Sequence, residues 1–298
     1  MNECVDMGNY SIKDIETLTG IKAHTLRVWE QRYDFLRPQR TETNIRYYND
    51  EQLRLILNIS MLNKNGFKIS KIASMNWEDM QKEVLRISSI RDEPDVLLDS
   101  LIHAMIDFDE SRFEKTLSQS ILKHGFENTF TYVVFPMMER TGILWATGVV
   151  RPAQEHFISN LIRRKLCVAI DSLYVKETPS TKRFVLFLPE GETHELLLLF
   201  TEFMLRSRNH HVVYLGNSLP FDDIDFINKA FRPQYMVTYV TVPLSGISLN
   251  NYLQKLSSGF PEVKILVGGA QVRQQRLILP ENVAVIHSVQ NLLDEIED

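Results

Sequence analysis

Five short apolar runs in the last 120 residues constrain the fold most. They are Phe184–Leu188, Val212–Leu215, Tyr235–Val240, Val263–Val267 and Val283–Ile286, and helix-period segments separate them. Strands that alternate with helices and lack a polar face predict a parallel sheet covered on both sides. In such open sheets ligands sit beyond the carboxyl ends of the strands. The segments at that edge are Glu190–Glu195, Asn217–Pro220, Thr241–Leu244 and Gly268–Val272.

Glu177–Lys182, a Thr/Pro/Ser stretch, reads as the linker before this block. Upstream, from about Glu93 to Lys176, apolar residues recur at three and four, as in Val96, Leu97, Leu101, Met105 and then Phe113, Leu117, Ile121, Leu122. Breaks at Asp107–Asp109, Gly125 and Gly148–Pro152 divide it into four helices, a bundle. The first block begins with Ser11 before a periodic run of Ile12, Ile15 and Leu18, as an N-cap should. Gly20 breaks that run, Lys22–Tyr33 forms a second helix, and Asn49-Asp50 starts a third that Gly66 ends. Helix, tight glycine turn and helix form a helix-turn-helix pattern. The expected architecture is multidomain. An all-α winged helix-turn-helix head spans 1–80, a four-helix bundle 92–176, and an α/β Rossmann-like doubly wound parallel sheet 183–298.

Charge supports a reading head. Residues 1–75 hold eleven Lys/Arg against nine Asp/Glu, a net of +2 that leaves −7 for the rest of a chain totalling −5. A basic head on an acidic body suits nucleic acid. Two cysteines, Cys4 and Cys167, are too few for a disulfide framework and point to a reducing cytoplasm. The opening Met-Asn-Glu-Cys-Val-Asp has no signal-peptide character, and no apolar run approaches a membrane span.

The second helix offers Lys22, Thr25, Arg27 and Arg32 to base edges and phosphates, while Leu26, Trp29 and Tyr33 fall on its core face. Arg40, Arg46 and Tyr47 follow in a stretch that a winged reader lays along the DNA backbone. On spacing alone, a helical interaction domain with a solvated basic face stays open.

The motifs from Tyr10-Ser-Ile-Lys-Asp-Ile through Thr-Leu-Arg-Val-Trp-Glu-Gln-Arg-Tyr to Arg46-Tyr-Tyr resemble the winged-helix domain of MerR-type regulators over residues 8–76. The resemblance implies a double-stranded DNA operator and self-association as a dimer or tetramer. Asn44 stands in the wing where cobalamin-sensing relatives usually carry Gly; Asn also tolerates a left-handed turn.

His194, with Glu192 two residues before it, is on its own as readily a surface histidine in an acidic loop. Together, Pro189-Glu-Gly-Glu-Thr-His-Glu-Leu, Val213-Tyr-Leu-Gly and Val267-Gly-Gly-Ala-Gln-Val resemble the Rossmann-like cobalamin-binding domain. That resemblance implies His194 as the lower ligand of cobalt, Glu192 as its hydrogen-bond partner, and Gly268 and Gly269 beside the displaced nucleotide tail. Trp145, nine residues, then Glu155-His156 resembles the upper-face signature of cobalamin-dependent photoreceptor repressors of carotenoid genes. The implied cofactor is adenosylcobalamin or methylcobalamin.

Three positions depart from the pattern. Leu197 replaces the motif glycine, and added volume at a tight contact costs ~1–3 kcal/mol. Thr241 is the nearest candidate for the missing Ser-x-Leu. Ala146 stands where the photoreceptors carry a histidine that captures cobalt. The expectation is a non-enzymatic transcriptional regulator whose sensor controls assembly and operator binding. The alternative is a cofactor-free regulator whose degenerate sensor serves protein interaction. A corrinoid methyl carrier shares the sensor architecture, but has no place for the reading head.

Overall fold

The computed structural model describes residues 10–33, 35–41, 44–90, 94–146 and 150–297, with 17–18, 50, 81, 85–90, 94–95, 143–146, 289 and 297 described by backbone alone. The chain divides into two compact units, Met1–Ile158 and Ser159–Asp298.

The first unit opens with β1 (Tyr10–Ser11) and α1 (Ile12–Thr19). Ser11 and Asp14 form a reciprocal capping box, so two helix-end amides are satisfied at once. Gly20 ends the helix in the left-handed conformation at φ 74°, which a side chain would oppose. Next come α2 (Ala23–Arg32) and a wing made from β2 (Gln39–Arg40) and β3 (Arg46–Tyr48). The strands form a small antiparallel sheet in the order β1-β3-β2, a feature that the helical reading of the head left out. Asn44, in the wing turn, has φ 63°, the left-handed turn expected of it. Then follow α3 (Asp50–Lys64, capped by Asn49 and Gln52), α4 (Ile69–Ile72) and α5 (Trp77–Ile90). Ile15, Leu26, Leu36, Tyr48 and Leu53 are fully buried and make the core of the head.

The bundle begins with α6 (Pro94–Asp107) and α7 (Glu110–His124). The third helix is composite: α8 (Phe126–Thr129), a π-helical turn Phe130–Val134, and α9 (Phe135–Ala146). The fourth, α10 (Pro152–Asp171), runs on into the second unit. Leu97, Leu101, Met105, Phe113 and Leu117 are buried as their periodicity requires, but Leu122 is 87 % exposed. The Phe113–Leu117 face continues to Ile121, so Leu122 falls about 100° off the apolar stripe. Within this unit Asp99 of α6, 3 % exposed, accepts from Lys64 of α3 at 2.9 Å and Arg140 of α9 at 3.4 Å, tying head to bundle.

In the second unit the order is β4 (Arg183–Pro189), α11 (Leu196–Ser207), β5 (His211–Leu219), α12 (Phe221–Phe231), β6 (Tyr235–Tyr239) and α13 (Leu249–Gly259). It closes with β7 (Lys264–Gly268), α14 (Ala270–Gln274), β8 (Val283–Val285) and α15 (Val289–Glu297). All five strands are parallel in the order β5-β4-β6-β7-β8. Phe184–Pro189 is buried throughout, which is why β4 reads as an unbroken apolar run. Val185, Phe187, Met236 and Val240 face Leu253 and Leu256 of α13 in one core layer. The strand order reverses between β4 and β6, and a binding crevice opens at such a switch point.

Candidate functional site

The loop after β4 falls at that switch point. Gly191, at φ 83°, turns the chain so that Glu192 points back under the sheet edge. The Glu192 carboxylate is fully buried and collects five donors. Oε1 accepts from the Thr193 and His194 amides, both at 3.0 Å, and from His194 Nδ1 at 2.6 Å. Oε2 accepts from the amides of Thr241 at 2.6 Å and Val242 at 3.0 Å, across the switch point. Burial alone pushes this carboxyl up. The hydrogen bonds from His194, Thr241 and Val242 outweigh it and hold the group down at about 2. Ser218 closes the loop from β5: its hydroxyl accepts from the Gly191 amide at 3.0 Å, and its own amide donates to the Glu192 carbonyl.

An ionised Glu192 can only accept, so His194 donates from Nδ1. In the neutral imidazole that makes Nε2 the lone-pair nitrogen. The His194 side chain is 52 % exposed, beyond the strand ends. A carboxylate behind an exposed imidazole is the arrangement that orients a metal ligand. Among the described residues no three His, Cys, Asp or Glu converge to hold a bare ion. A single imidazole can serve a metal only where the other metal positions come from the cofactor itself. Thr241 contributes its amide to Glu192.

The ground beside Gly268 and Gly269 is different. Gly269 has φ 104°, and a Cβ there would lie 2.4 Å from the Val240 carbonyl oxygen. Only glycine lets α14 start so close to β6. At Gly268 a Cβ would lie 2.6 Å from Tyr239 Cε1. The room that this glycine leaves is taken by the ring of Tyr239, which is 5 % exposed. The Tyr239 hydroxyl and Thr201 Oγ1 are 2.7 Å apart, and Thr201 donates to the Leu197 carbonyl at 2.9 Å. Tyr239 and Thr201 thus pack between sheet and α11, with Leu197 half-buried on the same helix. A corrinoid fits this chain on the His194 side. The space beside Gly268, where the sequence resemblance places a nucleotide tail, is occupied by the Tyr239 ring.

Of the residues that the sequence resemblance assigns to an upper face, Glu155 and His156 lie on α10. Glu155 Oε2 and His156 Nδ1 are 3.0 Å apart, with His156 71 % exposed and Glu155 26 %. The side chains of Trp145 and Ala146 lie outside the described residues.

In the head, Lys22, Arg27, Arg32 and Arg40 are exposed, and Thr25 and Tyr47 are half-buried. Glu16 of α1 pairs with Lys22 at 3.0 Å and accepts from the Ala23 amide at 3.1 Å, fixing the start of α2; the Lys22 hydrogen bond lowers its carboxyl. Arg40 donates to Asn44 Oδ1 at 2.7 Å across the wing turn. Arg46 differs, since its Nε donates at 2.7 Å to Glu30 of α2, which also accepts from the Tyr48 hydroxyl at 2.5 Å. Arg46 clamps wing to helix. The sequence carried no signal for Glu30, Tyr239 or Thr201, because each works through a neighbour distant in the chain.

Reader, bundle and switch-point loop together define a DNA-reading regulator joined to a ligand-binding module. A family model described as MerR HTH family regulatory protein matches residues 10–75, and one described as B12 binding domain matches residues 97–169. The chain thus carries a MerR-type helix-turn-helix domain followed by a B12-binding domain. It is 26 % identical over 283 residues to the HTH-type transcriptional repressor CarH of Myxococcus xanthus, covering 93 % of both chains. To the repressor CarA of the same organism it is 26 % identical over 266 residues, covering 88 % of this chain and 87 % of that one. The Methanosarcina barkeri monomethylamine corrinoid protein aligns with a TM-score of 0.54 at 14 % identity, covering 69 % of this chain and 99 % of that one, a likeness of fold. Among the described residues no helix is long and apolar enough to cross a membrane.

Proposed function

We propose that this chain is a cytoplasmic, non-enzymatic regulator that binds a double-stranded DNA operator as a dimer or tetramer and reads cobalamin through its sensor. The working parts are a head over 1–80, a bundle over 92–176 and a sensor over 183–298. Lys22, Thr25, Arg27, Arg32, Arg40 and Tyr47 meet the DNA, with Arg46 holding the wing to α2. The Glu192–His194 pair is the observation that carries the cobalamin reading: a fully buried carboxylate 2.6 Å from the Nδ1 of a half-exposed imidazole. His194 would hold the cobalt with its tautomer fixed by Glu192, and Trp145, Glu155 and His156 would enclose the group from the bundle. When bound, the corrinoid supplies a cobalt centre whose axial ligands can exchange. Occupancy favours one assembly state, and assembly sets how many heads engage DNA together.

The test is a corrin absorbance spectrum after incubation of the full chain with adenosylcobalamin in the dark and desalting, beside His194→Ala. Retention with a histidine-ligated spectrum that the variant loses supports the reading. The filled slot of Tyr239, Thr201 and Leu197 favours a second reading, a cofactor-free regulator whose sensor binds protein. Corrin that washes out of both proteins makes that the better account.

A further inference from the structure

The first unit holds a cavity whose lining includes none of the residues proposed to meet the corrinoid and joins head to bundle. Its volume is about 280 Å³. Arg54 and Asn58 of α3 and Trp77 of α5 line one side, and His103 and Asp107 of α6 with Arg112 of α7 line the other. This is near the lower end of the ~300–1,000 Å³ usual for small-molecule sites.

His103 is the anomaly. It is 3 % exposed, and its Nε2 has no hydrogen-bond partner among the described residues. Buried polar nitrogens are nearly always satisfied, so an orphan lining a cavity points to a missing group. Burial, with the charges of Arg112 and Arg54, pulls the imidazole down to about 3. It is therefore neutral at ordinary pH, and one ring nitrogen carries a proton to donate.

The charges around it are two against two, Arg54 and Arg112 facing Asp107 and Asp109, so what the cavity leaves open is donors rather than net charge. Asp107 lies 2.6 Å from Arg54 Nε and 3.7 Å from Arg112 Nη1, one carboxylate between two guanidiniums. Asp109 is 3.8 Å from Arg112 Nε. Each guanidinium has five donors in a planar fork matched to carboxylate or phosphate oxygens, more than these acids use.

We propose that this cavity is a binding site for a small anion, a carboxylate or a phosphate, held by Arg54 and Arg112 and by a hydrogen bond from His103 Nε2. Arg54 belongs to the reading head, and His103 and Arg112 belong to the bundle. An anion there fastens one to the other and adds a second input to the regulator.

The test uses the full chain without corrinoid, so its failure is separate from failure of the cobalamin reading. Inorganic phosphate and succinate are titrated in turn, against sodium chloride at matched ionic strength, with thermal unfolding as readout. One of the two should raise the midpoint saturably where chloride does not, and which one does identifies the source. His103→Gln and Arg54→Gln should each weaken the apparent affinity at least tenfold. Absence of a saturable rise with either anion, or an equal rise in both variants, overturns the site. If the variants do not fold, hydrogen exchange of the wild-type chain decides. The anion must slow exchange in α3 and α6 together, and unchanged exchange there overturns the proposal.

Discussion

Two places on one sheet edge handle their space in opposite ways. At the end of β4, the chain spends a buried carboxylate and five donors to hold one imidazole outward. At the ends of β6 and β7, it fills the room beside Gly268 with Tyr239, backed by Thr201 and Leu197. The first is costly unless all five donors stay in place, because a buried charge needs every partner it has. The second is ordinary packing that gains by excluding a visitor. A half-exposed imidazole held by a buried carboxylate can thus sit on the same sheet edge as a closely packed core.

The largest effect that would break this contrast comes from Tyr239→Ser. Removing a buried aromatic costs ~3–5 kcal/mol, and urea unfolding should show it. The same variant should retain more cobalamin after desalting than wild type, since the slot reopens. Equal retention would mean that the ring is no barrier. Next is Gly269→Ala, which forces a side chain into φ 104° and onto the Val240 carbonyl. A loss of roughly 2–3 kcal/mol is expected in the same unfolding assay. A near-neutral result would show that α14 can move away from β6. The smallest is a change in acid sensitivity. Glu192 is held at about 2 in the fold against an ordinary 4.5, so its stabilisation is complete above about pH 4.5 and lost as pH falls toward 2. Glu192→Gln should lower stability at neutral pH and flatten the acid limb in that window. Parallel pH profiles for the two proteins would remove Glu192 from the account.

Much of the scaffold was legible because it rests on local signals. Ser11 and Asn49 cap where their spacing puts them, Gly20 stops α1, and β4 reads as buried on both faces because it is. The wing sheet was missed because strands of two and three residues carry no periodicity. The Phe130–Val134 π turn is likewise silent, since it changes the helical register without any breaker residue. At the sensor, Glu192 and His194 could be paired from sequence because they are two residues apart. The closing of the slot could be suspected only from Leu197. Tyr239 does the filling, from 42 positions away, and its direction depends on the pleat of β6 and the close approach of Gly268.

The wing clamp also bears on how DNA affinity should respond to salt. Each phosphate that a cation neutralises releases counterions, and the logarithm of affinity falls with that of salt by about 0.9 per contact. Arg46 meets its opposite charge in Glu30 before any DNA arrives. A count of basic side chains in the head therefore overstates the slope by about 0.9 per head, or about 1.8 for a dimer on two half-sites. Salt titration of Glu30→Gln beside wild type should recover that difference, as a guanidinium released from its carboxylate becomes free to displace ions from the duplex.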